Sequence, residues 1–263
     1  MRRSTVFLPW LMMIVIIIPT AQVYASSALQ VGASADQSSD GSTGVSVAIR
    51  TNIYHAQEGE MDYFWVGTSL VNGAFVQFGY SLQLGNYCLK GKMISGESTC
   101  LAYWDTISPY DVRWQWQYWP NMYGVDYYWG IGTYNSAGSN GTWHTYSIVA
   151  NGTAWSLQLN SKEVDRILFQ PTHSSNPVSF IAEKNIPSQQ YREKLGPAEF
   201  RNLAYLKEDG WHPARTLTAF VSCVPHCNIL NPFGIAVDGP NGHLIAGSGI
   251  KQPVNGALLW TNN

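Results

Sequence analysis

Charge is scarce in this 263-residue chain: Asp, Glu, Lys and Arg together reach 12%, about half the usual quarter. With a formal net charge of −2 there is no basic surplus to gather a phosphate backbone, so nucleic acid is not an expected partner. Long apolar runs are missing as well. The longest, Val6 to Ile18, holds about 13 residues and is interrupted by Pro9, short of the ~20 that a spanning helix needs. No Gly-rich phosphate loop, His-Glu-x-x-His helix or Gly-x-Ser-x-Gly elbow occurs, which removes the enzyme classes built on them. No two of the six histidines stand at ligand spacing, so neither a metal nor a cofactor is expected. Nor is there a helical period of useful length.

The short apolar run has a different use. Arg2 and Arg3 precede it and the small-residue exit Val23-Tyr24-Ala25 follows, the pattern of an export signal over residues 1–25 cleaved after Ala25. The chain is therefore expected to be secreted, and a membrane becomes a partner only if this segment stays uncleaved as an anchor. Cleavage removes two arginines and no acid, taking the formal charge from −2 to −4. Residues 26–44 are mostly Ser, Gly, Ala and Asp and read as a flexible linker. Cysteines number only four, and outside the cell their spacing predicts the disulfides Cys88–Cys100 and Cys223–Cys227. Zinc held by Cys223, His226, Cys227 and the distant His243 is the alternative for the second pair.

What the chain does have is aromatic residues, 13% of the total with 11 Trp and 15 Tyr, enough to place rings on a sheet face as well as in a core. Short β-rich runs recur from Tyr63–Leu70 to Thr216–Ser222. Asn72-Gly73, Asn140-Gly141, Asn151-Gly152 and Asn241-Gly242 between runs supply the positive φ angles of hairpin tips. The pattern predicts an all-β antiparallel sandwich over residues 45–222, followed by a C-terminal extension, 223–263, that reads as an appended hairpin. Two of the tips, at Asn140 and Asn151, are also glycosylation sequons.

Three segments carry candidate site residues. Glu183 ends the apolar run Val178-Ser179-Phe180-Ile181-Ala182, where desolvation would suit it to general acid or base work; an ion pair with Lys184 is the plainer reading. In Arg113-Trp114-Gln115-Trp116-Gln117-Tyr118-Trp119, period two sends Trp114, Trp116 and Tyr118 to one side and Arg113, Gln115, Gln117 and Trp119 to the other. The second row is the expected cleft face, because an unpaired buried amide is costly. Gln77 stands alone among Val76, Phe78 and Tyr80, and its amide could stabilise an oxyanion if the fold brings it to Glu183.

Phe64-Trp65-Val66-Gly67 followed by Val76-Gln77-Phe78-Gly79, then Tyr110-Asp111-Val112-Arg113-Trp114, Phe180-Ile181-Ala182-Glu183 and Gly196-Pro197-Ala198-Glu199-Phe200 resembles, in order, the motifs of the eqolisin glutamic peptidases. The chain departs from that family at Thr68-Ser69-Leu70, where the family has an acidic loop, and at Ser179, where it has a further Glu. The resemblance implies a concanavalin-like jelly roll of two curved antiparallel sheets with the site on a concave face. It also implies a glutamic endopeptidase working in acid on a polypeptide. Glu183 would activate water and protonate the leaving amine, Gln77 would hold the oxyanion, Trp65 would shape the floor, and no metal would be needed. Two other readings keep the fold. Exposed rings with Gln and Asn would suit a carbohydrate-binding or glycan-cleaving domain with a polysaccharide partner, and a tethered surface module would bind without turnover.

Overall fold

Period-two segments rich in aromatic and β-branched residues form strands because alternate side chains can be buried while the backbone pairs with a neighbour. The computed structural model describes residues 27–35, 41–54, 61–121, 124–168, 174–186, 195–196, 198–214, 216–224, 233–238, 243–248 and 256–259. Every regular element among them is a strand, so no described helix is long and apolar enough to cross a membrane. In chain order these are β1 (Ser27–Ala35), β2 (Gly44–Arg50), β3 (Met61–Leu70), β4 (Phe75–Gln83), β5 (Gly85–Cys88), β6 (Lys90–Ile94) and β7 (Glu97–Cys100). Then come β8 (Trp104–Ile107), β9 (Arg113–Trp119), β10 (Tyr127–Ile131), β11 (Trp143–Asn151), β12 (Ala154–Leu159), β13 (Lys162–Ile167) and β14 (Ser174–Ile186). The last are β15 (Ala198–Lys207), β16 (Gly210–Pro213), β17 (Thr216–Val224), β18 (Phe233–Asp238), β19 (His243–Ser248) and β20 (Gly256–Leu259).

The strands make the predicted all-β sandwich, a concanavalin-like jelly roll of two curved antiparallel sheets. One sheet has ten strands in the order β20-β17-β1-β14-β3-β4-β9-β10-β6-β7; the other runs β13-β12-β11-β2-β15-β19-β18 with β16 on β15. Between them lies the main core, where Phe64, Val66, Phe78, Tyr80, Trp116 and Phe180 from the first sheet meet Val47, Tyr146, Ile148, Leu157 and Phe200 from the second. Ring pairs lock the layers: Phe78 meets Tyr146 edge to face at 5.4 Å and Phe180 lies 4.7 Å from Phe200. At one margin Asp165 on β13 accepts from the Trp116 indole at 2.8 Å and from Lys90 at 3.2 Å, joining the sheets through a charge-assisted pair. Within the core, the Tyr54 hydroxyl donates to buried Asp62 at 2.6 Å; burial, and then the Asp62 charge, hold that phenol well above its ordinary pKa, so it remains a donor.

Several boundaries differ from the sequence reading. The segment read as a flexible linker contains β1, which pairs with β14 on one side and β17 on the other, inside the ten-stranded sheet. Its inward residues Val31, Ala33 and Ala35 are small enough to fit there, and two neighbouring ladders satisfy a backbone that has no strong apolar period of its own. The expected hairpin in the C-terminal extension exists as β18 and β19, but it is built into the second sheet through β15, while β20 continues the first sheet beside β17. The β-rich stretch around the second cysteine is divided, with β7 ending at Cys100 and β8 starting at Trp104. Cys100 is bonded to Cys88, as its spacing predicted. The export signal and Cys227 lie outside the described residues, and with them the second disulfide and its zinc alternative.

Candidate functional site

The side of the ten-stranded sheet that faces away from the core is polar, and it follows from alternation. With Val76, Phe78, Tyr80 and Leu82 pointing inward, Gln77, Gly79, Ser81 and Gln83 take the outer face of β4; with Trp116 and Tyr118 inward, Gln115 and Gln117 take that of β9. The face is covered, not washed by solvent: Gln77 and Gln83 are each 1% exposed, Gln115 3% and Gln117 7%. The cover includes the small β5–β8 sheet, whose Tyr87 and Trp104 stand over β9 and β10.

Buried amides require partners, and these find one another across the ladder. Gln77 Nε2 donates to Gln117 Oε1 at 3.1 Å, its neighbour in register. Gln83 Nε2 donates both to Ser81 Oγ at 2.6 Å and to Gln115 Oε1 at 2.5 Å. Glu183, 5% exposed, accepts from Gln30 Nε2 on β1 at 3.2 Å. Gln77 and Glu183 share the face but occupy different rungs. Gln77 stands opposite Gly67, and Gly67 opposite Ser179, four residues before Glu183. Four residues along a strand and two strands across put the pair on the order of 16 Å apart at their Cα atoms. On its own rung Glu183 is followed by Tyr63, Ser81 and Arg113.

Arg113 is engaged elsewhere. Its Nε and Nη2 reach Asp111 at 2.7 and 2.6 Å, and Nη1 reaches Asp105 at 2.7 Å and the Gly132 carbonyl at 3.3 Å. Burial works against the guanidinium charge, but the hydrogen bonds and charges of Asp111 and Asp105 outweigh it and raise its pKa above the ordinary value. The Arg113 hydrogen bond in turn holds the Asp105 carboxyl below the usual carboxylate range. Since Asp105 belongs to β8 and Arg113 to β9, this pair ties the covering strands to the sheet. Trp65 lies fully buried in an outer-face cluster with Tyr63 and Ile181, stacked on Tyr63 at 4.6 Å, and its Nε1 has no partner among the described residues.

Beside these residues opens a cleft of about 210 Å³, with room for a single sugar-sized ring. Gln83, Gln115 and Gln117 lie on one side; Met61, Tyr63, Tyr87, Trp104, Tyr127 and Trp129 bring apolar and aromatic surface, and Cys88, Ser98 and Ile131 complete the wall. Trp129 is fixed by donating Nε1 to the Cys88 carbonyl at 2.9 Å, and burial raises the Tyr127 phenol, keeping it protonated and a donor. Trp104, 59% exposed, extends the aromatic surface outward with Tyr103 beside it in sequence. No carboxylate is among the described residues that line the cleft. Gln115 and Gln117 therefore reach a cleft together, Gln77 supports Gln117 from behind, and Glu183, Trp65 and Arg113 stand outside it. The sequence reading missed Gln83, although the alternation through Gln77, Gly79 and Ser81 leads to it. It also missed Gln30, for which a Ser- and Gly-rich surrounding gives no signal.

No protein-family model matches the chain, and no curated protein matches it in sequence. Among solved structures, scytalido-glutamic peptidase with a peptide-based transition-state analogue has a TM-score of 0.47 at 12% identity over 86% of this chain and 100% of that one. SCP-B, an eqolisin-family peptidase in complex with the tripeptide Ala-Ile-His, has a TM-score of 0.46 at 13% identity with the same coverage. The kappa-carrageenase of Zobellia galactanivorans reaches 0.30 at 13% identity over 60% of this chain and 62% of its own. At these TM-scores and identities the likeness assigns no role to this chain.

Proposed function

We propose that this chain is a secreted jelly-roll domain that binds a polysaccharide in the cleft between β9, β10 and the β5–β8 cover. The observation that carries the reading is the lining itself: three near-buried glutamine amides facing aromatic rings. Ring faces take up the C–H surface of a sugar by dispersion and area burial, while amides both donate to and accept from its hydroxyls. A shallow cleft with a few convergent polar groups is the general form of a small-ligand site. Trp104, on the cleft wall and 59% exposed, also offers its ring to the next residue of a polymer. The Cys88–Cys100 disulfide suits an oxidising compartment, where extracellular glycans are met. The test is affinity electrophoresis of the purified protein in gels carrying soluble polysaccharides, with tryptophan fluorescence of the same mixtures. Retardation accompanied by a change in indole emission supports the reading, and unretarded migration across the panel removes it.

A second reading, acid proteolysis, is favoured by one contact. Gln30 donates to Glu183, so a glutamine amide and a near-buried glutamate do meet on the outer face, with Gln30 in the place that the sequence assigned to Gln77. On this reading Glu183 activates water toward a peptide carbonyl and the Gln30 amide supports the oxyanion. Digestion of denatured protein at about pH 3 to 5, abolished in Glu183→Gln, is the expected result; no cleavage by the wild-type protein dismisses it.

A further inference from the structure

We propose that Gln83 selects the ligand of this cleft, accepting a hydroxyl proton from a neutral sugar and disfavouring glycans that carry carboxylate or sulfate. The inference rests on the glycan reading of the same cleft and goes further by naming the ligand's charge and the atom that reads it. Gln83 is 1% exposed, and both of its amide protons are committed, one contact to Ser81 Oγ and one to Gln115 Oε1. In this arrangement the Nε2 end of the amide faces both acceptors. The remaining atom, Oε1, is buried without a donor among the described residues, and it belongs to a residue that lines the cleft. An unmet buried acceptor is costly enough that proteins of this size leave few of them. A ligand that brings an O–H to this position removes the deficit on binding and gains more than an ordinary surface hydrogen bond provides.

The neighbouring amides extend the code. Gln115 and Gln117 each accept through Oε1, from Gln83 and Gln77 respectively, so their Nε2 groups remain donors. The cleft thus offers one acceptor and amide donors beside it, which matches hydroxyls, since each can play either part. A carboxylate or sulfate has no proton to give Gln83 Oε1 at neutral pH and would set like partial charges together. No Lys or Arg is among the described lining residues to offset such a charge. The Gln83 amide is also held by its own partners before the ligand arrives, so little ordering is left to bear on binding.

The experiment is isothermal titration of the purified protein with a neutral glucan, a neutral galactan, a uronate polymer, a sulfated galactan and a chitosan. It is repeated with Gln83→Met, which keeps the side chain's length and removes the acceptor. The expected result is neutral-polymer binding at least about tenfold tighter than anionic binding, and a loss of about tenfold or more in Gln83→Met with unchanged circular dichroism. Anionic polymers binding as well as neutral ones overturns the inference, as does undiminished binding by a folded Gln83→Met protein. If that variant does not fold, the wild-type preference among the five polymers decides alone. Absence of binding to every polymer defeats the glycan reading itself, a separate outcome.

Discussion

Replacing Arg113 with Met removes the centre of a buried charge cluster and leaves the Asp111 carboxylate, 1% exposed, with the Asn135 N–H on its other oxygen at 2.7 Å. Breaking a buried pair by deleting one partner costs about 3–5 kcal/mol, because the remaining charge stays desolvated. With a urea dependence of about 3 kcal/mol/M, suited to a domain of this size, the midpoint of unfolding falls by about 1 M or more. Asp111→Asn combined with Arg113→Met removes both charges and should recover a large part of the loss, giving a coupling of more than about 1 kcal/mol in a double-mutant cycle. The assay is urea unfolding followed by tryptophan fluorescence. A deficit below about 1 kcal/mol, or a double variant no more stable than Arg113→Met alone, would refute the argument that desolvated charge dominates this cluster.

Asp105→Asn weakens the tie between the covering strands and the sheet while leaving Asp111 and Arg113 paired. The wild-type Asp105 carboxyl titrates below its ordinary value, so the tie is complete above the unfolded-state pKa of about 3.9 and is lost as pH falls through the lower folded value. Glycan binding by wild type should accordingly be level down to about pH 4 and decline below it, whereas Asp105→Asn should be weaker at neutral pH and lack that decline; identical profiles would show that the tie does not hold the cleft. Trp104→Ala truncates a side chain that is 59% exposed, so it should leave the free energy of unfolding within about 0.5 kcal/mol of wild type and weaken polymer binding about tenfold. A polymer affinity unchanged by that truncation removes Trp104 from the site.

The architecture was legible wherever alternation was strong. Phe75–Gln83 and Arg113–Trp119 announced both their strands and their polar faces, since a row of apolar side chains fixes which residues must point the other way. Legibility ended where tertiary pairing supplies what the local sequence lacks. β1 is a run of small and polar residues, and it is a strand because β14 and β17 offer ladders on both sides. β13, Lys-Glu-Val-Asp-Arg-Ile, is too charged to read as a strand, yet at the sheet edge its charges are solvated or paired, as in Arg166 with Glu163 at 2.9 Å. For the site the limiting quantity was register. The sequence identifies Gln77 and Glu183 as members of one face but holds no information on which rung each occupies, and an offset of four residues separates side chains that short motifs bring together.

That offset also explains why the outer face is better suited to recognition than its composition suggests. A sheet face carrying Gln30, Gln77, Gln83, Gln115, Gln117, Ser81, Ser179 and Glu183 would be strongly destabilising if its polar groups were left dry and unpaired. Instead the register gives them one another: Gln77 to Gln117, Gln83 to Gln115 and Ser81, Gln30 to Glu183, and Ser179 to the Gly67 carbonyl. Selection for stability alone would favour valines and threonines at these positions, because replacing both members of a buried polar pair by apolar groups is often neutral or better. A connected amide ladder is rigid, however, and its donors and acceptors are set in place before any ligand arrives. The ladder runs to the cleft, and the unmet acceptor among its glutamines, Gln83 Oε1, belongs to a residue that lines it. Polar residues kept at a stability cost, with an unsatisfied buried atom on a residue that lines the cleft, are what a recognition surface requires and a purely structural sheet does not.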